Sequence, residues 1–238
     1  MLFRNGDTTS PLTAPSQRTL SDYVADQLRQ AILAEQFKPN ERLVEQDIAE
    51  SMQTRRGPVR DALKILENEG LVVRQPHRGA FVAQLDPEDI LEIYSLREAL
   101  ETLAIRLAIK NASDSDIDRL EELVQNMARM AEQDYNQLDA TNLDIEFHHT
   151  LVRISGHRRV LTAWEALAGQ IRMVVLKHRL ENPQDLRVRS VAWHEKIVRA
   201  MRDRDTEKSI QELRIHMAAS SEWIEKLIQQ KKNQKQPA

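Results

Sequence analysis

Asp144 and His148 stand four residues apart in "LDIEFHHTLVRIS", a spacing that stacks both side chains on one face of a helix. Leu151 and Ser155 continue that stripe, and Leu143, Phe147 and Ile154 run alongside it, so the carboxylate and the imidazole are directed inward. His194 falls in line with Val191, Val198 and Met201, and His216 lies beside Leu213 and Ser220. One carboxylate and three imidazoles facing the inside of a helical bundle suit a divalent transition metal, with zinc expected and nickel, manganese or iron compatible. Four side chains leave coordination positions open for water or a ligand carboxylate. Spacing alone leaves a second reading open. A buried histidine is commonly a satisfied core group, and His77, His149, His157 and His178 have no place in the set.

A second chemistry is concentrated in "TRRGPVRDAL", residues 54–63. Between positions 53 and 64 there are four basic side chains, Arg55, Arg56, Arg60 and Lys64, against one acid, Asp61. Over residues 1–80 the charge balances, with eleven Lys and Arg against eleven Asp and Glu. The positive charge is therefore focused on the start of one helix. Pro58 is tolerated only in a first helical turn, where its missing N–H has no partner to lose, so it marks where that helix begins. An arginine fork there is suited to guanine O6 and N7 or to a phosphate, and the helix N-terminus adds its own positive end.

These residues need elements to hold them. Residues 1–16 carry Gly, Pro, Ser and Thr without apolar periodicity and read as a mobile tail. Apolar spacing predicts helices over 20–35, 44–52 and 55–69, the last ended by Gly70. "LVVRQPHRGAFVAQL" then reads as two short strands around a Pro-His-Arg-Gly turn. This order over residues 17–85 is that of a winged helix-turn-helix, with His77, Arg78 and Gly79 at the wing tip. From residue 86 to 230 no strand pattern occurs, and about six helices are expected, at 87–111, 115–133, 137–155, 157–180, 185–203 and 206–230. The fold is thus mainly α: an N-terminal winged helix-turn-helix and a C-terminal all-α bundle, followed by a polar tail over 231–238.

Composition bounds the rest. The 238 residues are 41% hydrophobic and carry a net charge of −3, so attraction to nucleic acid must come from a local patch. There is no cysteine, which excludes disulfides and thiolate-bound zinc. Absence of a long apolar run or a leader pattern sets the expectation of a cytoplasmic protein without membrane contact.

"ERLVEQDIAESMQTRRGPVRDALKILENEGLVVRQPHRGAFV" resembles the DNA-binding domain of the GntR family of bacterial transcription regulators. Leu43, Glu45, Ile48, Ala49, Arg56, Pro58, Val59, Arg60, Ala62, Leu63, Glu69, Gly70 and Leu71 fall on its pattern. Pro76, Arg78, Gly79, Ala80 and Val82 match its wing. The resemblance implies DNA contacts at Arg56 and Arg60, with Gln46 and the wing tip adding others; Arg55, Gly57, His77, Arg78 and Gly79 complete the expected surface. Three departures stand out: Gln53 replaces a turn glycine, Arg55 a capping serine, and Gly57 a small hydroxyl residue.

Residues from about 90 to 225 resemble the FCD effector domain. "YSLREALETLAIRLA" is similar to its first helix, and "LDIEFHHTLVRISGHRRV" and "HEKIVRAMRDRDTEKSIQELRIHM" to its two histidine-bearing segments, with His157 in place of the usual Asn. That resemblance, in which the six-helix count suggests a VanR-like branch, assigns Asp144, His148, His194 and His216 as the metal set. It also implies a small organic acid as effector. Arg97 occupies the position marked for gripping its carboxylate, and Arg172 is a second candidate. The expected function is a ligand-responsive repressor that binds a double-stranded operator as a homodimer. The alternative is a metal-dependent enzyme using the Asp/His3 set, although no general base stands beside it beyond Glu146 and Glu195.

Overall fold

The structure, a computed structural model, describes residues 19–133 and 135–234. Helix α1 (Leu20–Leu33) starts at a capping box in which the Thr19 hydroxyl accepts from the Asp22 amide and the Asp22 carboxylate from that of Thr19. It buries Val24, Ala25, Leu28 and Ile32 against α3 (Arg56–Asn68), whose Val59, Ala62, Leu63 and Leu66 form the other half of that core. Between them lie strand β1 (Arg42–Leu43) and helix α2 (Glu45–Ser51).

Both turns flanking α3 are set by left-handed residues. At its end the Gly70 amide donates to the Glu67 carbonyl and that of Leu71 to Leu66, the Schellman arrangement, with Gly70 at φ 72°. At the end of α2 the same pair of bonds forms, from Gln53 to Glu50 and from Thr54 to Ala49. The left-handed position there, φ 50°, is filled by Gln53. A side chain in this conformation costs about 1 kcal/mol that glycine would not incur.

The expected hairpin is present as β2 (Val72–Gln75) and β3 (Gly79–Val82), antiparallel, with Val73 opposite Phe81. The two-residue β1 was not expected. It pairs with the far edge of β3, Leu43 opposite Ala80, and makes a three-stranded sheet of order β1-β3-β2.

Asp86 opens the helical part as a capping residue for α4 (Pro87–Asn111), accepting from the Glu88 and Asp89 amides at 3.0 Å. There follow α5 (Asp114–Glu132), α6 (Gln137–Ile154), α7 (Arg158–Glu181), α8 (Pro183–Arg202), α9 (Thr206–Ala218) and α10 (Ser221–Gln234). Among the described residues this makes seven helices after residue 86 rather than about six. The helix expected over 206–230 breaks at Ala219 and Ser220, where the Ser220 hydroxyl donates to the Tyr94 hydroxyl at 3.2 Å and meets His178 Nδ1 at 3.2 Å. The break turns α10 so that Trp223 and Ile224 pack on Ile90 and Val174. The polar tail expected from 231 is correspondingly shorter, since α10 continues to Gln234. The expected tail 1–16 and residues 235–238 lie outside the described residues.

The bundle's core gathers Ile105, Ile117, Leu120, Phe147, Leu151, Trp164, Ile197 and Leu213. Helix α7 packs it against the reading head, with Leu138 of α6 beside it. Leu176 and Met173 of α7 extend the head's own core, and Gly169 lies so close to the end of α3 that an added Cβ would stand 2.2 Å from the Glu69 carbonyl oxygen. Beside this contact Arg29 of α1 grips Glu69 with two hydrogen bonds of 2.8 and 2.6 Å.

Candidate metal centre and nucleic-acid interface

Helices α6, α8 and α9 carry the four ligand candidates to one point in the bundle. The ligand atoms of Asp144, His148, His194 and His216 all lie within 4.8 Å of one another. His148 Nε2 is 3.1 Å from His216 Nε2 and 3.3 Å from His194 Nε2, and His194 Nε2 is 3.5 Å from Asp144 Oδ1. Two imidazole nitrogens on one zinc, each about 2.0–2.1 Å from it, stand roughly 3.0–3.4 Å apart. The spacing fits.

The tautomers fit as well. His148 Nδ1 lies 2.7 Å from the Glu101 carboxylate, and His194 Nδ1 lies 2.7 Å from the Ser190 carbonyl. Neither partner oxygen donates, so each Nδ1 carries a proton, and the two Nε2 atoms face each other across the centre of the cluster. With both rings neutral, two lone pairs would meet at 3.3 Å, which a cation between them would relieve. This is the arrangement by which outer hydrogen bonds orient histidine ligands. Burial pushes the His194 imidazole down to about 4 and that of His216 well below its ordinary value. Both are therefore neutral, as metal ligands must be.

Glu101 ties the site to the rest of the bundle. Fully buried, it accepts from His148 Nδ1, Arg97 Nε at 2.8 Å and Trp164 Nε1 at 2.9 Å. Burial alone would raise its pKa, but the charges of His148 and Arg97 outweigh that and hold it at about 2. Asp144 behaves likewise. Burial opposes its ionisation, yet His148, His194, Arg179 and Arg97 together hold its carboxyl well below the usual range.

A small cavity of about 30 Å³, open to solvent, adjoins Asp144 and His216 and is lined by Tyr94, Arg97, His178, Arg179, Ser190 and Ser220 among others. Arg97 lines this cavity. Arg172 does not. It sits at the seam between the two parts of the molecule, where burial and the neighbouring Arg29 lower its pKa and Glu69 and Asp26 counteract them. The cavity arginine that sequence reading missed is Arg179, seven residues on, which donates to Asp144 Oδ1, Ser190 Oγ and Tyr135 Oη, each at 3.1 Å. Seven residues are two helical turns, so both lie on one stripe of α7. The remaining histidines have structural work. His157 caps α7 by accepting from the Val160 amide, His149 faces Glu165 at 3.0 Å, and His178 stacks on Trp223.

The leading edge of α3 faces solvent. Arg55, Arg56, Arg60 and Lys64 are all exposed, and Arg56 approaches Glu45 at 3.4 Å. Arg55 occupies the cap position and makes no capping hydrogen bond, so its side chain is free of that duty. Gly57 has no atom within 4 Å of where a Cβ would stand. Gln46 is exposed on α2 and bonds Glu50. At the wing tip His77 is left-handed at φ 61°, Gly79 stands at φ 100°, and the Arg78 guanidinium lies 5.4 Å over the Phe81 ring. Arg42 of β1, which sequence reading passed over, reaches the same tip: a Cβ on Gly79 would stand 3.6 Å from its Nε.

Residues 20–82 match the family of bacterial regulatory proteins named gntR, and residues 92–219 match the FCD domain. The chain belongs to the GntR family. It is 32% identical to an HTH-type transcriptional regulator in an unstable DNA locus of Streptomyces ambofaciens, over 84% of this chain and 83% of that one. It is 30% identical to the gluconate operon repressor of Bacillus subtilis, over 80% and 79% of the two chains. In fold it is similar to McbR/YncC of E. coli, with a TM-score of 0.73 at 23% identity, covering 90% of this chain and 99% of the other. It is a GntR-family transcriptional regulator with an FCD domain. These relatives regulate transcription, and the metalloenzyme alternative finds no support among them. Among the described residues no helix is long and apolar enough to cross a membrane.

Proposed function

We propose that this regulator is a metal-dependent, acid-responsive repressor that acts in the cytoplasm as a homodimer. Arg55, Arg56, Arg60 and Gly57 enter the major groove of a double-stranded operator, with Gln46, His77, Arg78 and Gly79 on the flanking backbone. Asp144, His148, His194 and His216 hold a divalent transition metal, zinc by donor type, and a small carboxylate binds beside it against Arg97. The observation that carries this reading is the convergence of the ligand atoms of Asp144, His148, His194 and His216 within 4.8 Å next to a polar cavity. Leu96 and Leu103, exposed seven residues apart on one stripe of α4, are the surface on which a second copy would dock. Pairing there sets two reading heads on half-sites about one helical turn apart.

The test begins by selecting duplexes from a random library with zinc-loaded protein. Anisotropy titrations then follow with zinc, with chelator and with a panel of small carboxylates. A carboxylate that weakens binding at least tenfold only when zinc is bound is the expected result. Affinity indifferent to both metal and acids overturns the reading.

A further inference from the structure

Most of the positive charge in the reading head is paired. Arg29 stands beside Asp26 and Glu69, Lys38 beside Glu35, Arg56 beside Glu45, Lys64 beside Asp61 and Arg74 beside Glu67. Among the described residues of the head, Arg42, Arg55, Arg60 and Arg78 have no carboxylate partner. Arg55 and Arg60 belong to the leading edge of α3, and Arg78 to the wing tip. Arg42 belongs to neither.

Its position links the two. Arg42 stands on β1 opposite Phe81 of β3, and opposed residues of an antiparallel pair share a face. Gly79, two residues before Phe81, lies on that face as well. The Arg42 side chain runs toward it, so that a Cβ on Gly79 would stand 3.6 Å from Nε and 3.7 Å from Nη2. The Arg78 guanidinium lies 5.4 Å over the same Phe81 ring. A strand outside the hairpin thus brings an exposed cation to the wing tip. In the other direction, Glu45 follows Arg42 by three residues, a backbone span of about 10 Å at most. Glu45 is the carboxylate that Arg56 of α3 approaches at 3.4 Å. Arg42 therefore lies between the start of α3 and the wing tip.

Duplex geometry supplies the ligand. With a helix seated in the major groove and a hairpin tip beyond its edge, a sugar–phosphate strand passes between them, since that strand is the wall between neighbouring grooves. A cation placed there meets phosphate oxygens rather than base edges, and an arginine fork takes two of them at once.

We infer that Arg42 is a phosphate contact of the operator, gripping the strand that runs between α3 and the wing. This rests on the DNA-facing reading of α3 and the wing given above, and adds to it a contact blind to sequence.

Anisotropy titrations of the full-length protein test it on a selected duplex and on a scrambled duplex of the same composition. Each variant is first matched to the unsubstituted protein in thermal unfolding. Arg42→Gln keeps the stem over the sheet and removes the charge. It is expected to weaken binding to both duplexes alike, by about fivefold or more, and to flatten the salt dependence by about 0.9 unit for each protomer bound. Arg42→Lys keeps the charge and should retain the original slope. Lys38→Gln removes an equal charge already paired with Glu35 and should change affinity by about twofold at most. Unchanged binding in Arg42→Gln overturns the inference and leaves the arginine as a solvated sheet edge. A loss confined to the selected duplex overturns the phosphate assignment in favour of base reading. A loss equalled by Lys38→Gln overturns it in favour of net charge alone. Arg60→Ala, run alongside, keeps the premise separate. If it weakens binding and Arg42→Gln does not, only this inference falls; if neither does, the DNA-facing reading of the head falls too.

Discussion

Arg56, in the first turn of α3, is 65% exposed and approaches a single carboxylate. Arg97, midway along α4, is 2% exposed, bonded to Glu101 and close to Asp144. The residue type is the same, and so is its charge. The exposed side chain keeps its rotamer freedom and its hydration until a partner arrives, so it gives up roughly 2 kcal/mol of conformational entropy on binding. That suits contact with a polyanion whose own counterions are released in exchange. The buried one surrendered its freedom when the protein folded, and its fork is already aimed. That suits recognition of a small ligand by geometry. A charged residue's exposure, more than its identity, thus decides whether it serves long-range attraction or fixed readout.

The contrast can be broken most forcefully at Glu101. Glu101→Ala leaves Arg97 and His148 buried without their shared carboxylate, and chemical denaturation should show a loss of about 3–5 kcal/mol. A loss below 1 kcal/mol would mean that the buried network is not the rigid framework described. His194→Ala is next. It should lower zinc occupancy, measured by competition with a chromogenic chelator, by about 100-fold or more, since outer-sphere changes alone reach 10–100-fold. Operator affinity of the metal-free protein should stay unchanged. Arg60→Ala should do the reverse. Anisotropy should report a cost of about 1–3 kcal/mol in operator affinity and a salt dependence flatter by about one unit of slope, with unfolding unaltered within about 0.5 kcal/mol. The smallest effect sharpens the head alone: Gln53→Gly should stabilise it by about 1 kcal/mol in thermal unfolding, because the left-handed turn then costs nothing.

Much of this was legible in the residues. Pro58 and Gly70 bracket α3 because each has one conformation or freedom the others lack, and both signals are local. The Asp144–His148 pair was legible because four residues make one helical turn. What escaped is what only packing decides. β1 is two residues long and exists because β3 has an unpaired edge for it. The end of α9 depends on Tyr94 and His178, 126 and 42 residues away from Ser220. Arg172 and Arg179 share a stripe, so periodicity could not say which half of α7 faces the cavity and which the head.

Gly169 leaves no side chain to absorb play between α7 and the carbonyl that ends the recognition helix. Arg179, ten residues further along the same rod, touches the cavity. From Glu69 to Arg56 the recognition helix runs about 20 Å, at 1.5 Å per residue. A tilt of roughly 5° about the glycine contact therefore sweeps the arginine-bearing tip by about 2 Å, more than a hydrogen bond to a base edge survives. Packing this tight at the glycine means that a small reorientation of α7 would have to be taken up by α3 rather than absorbed between them.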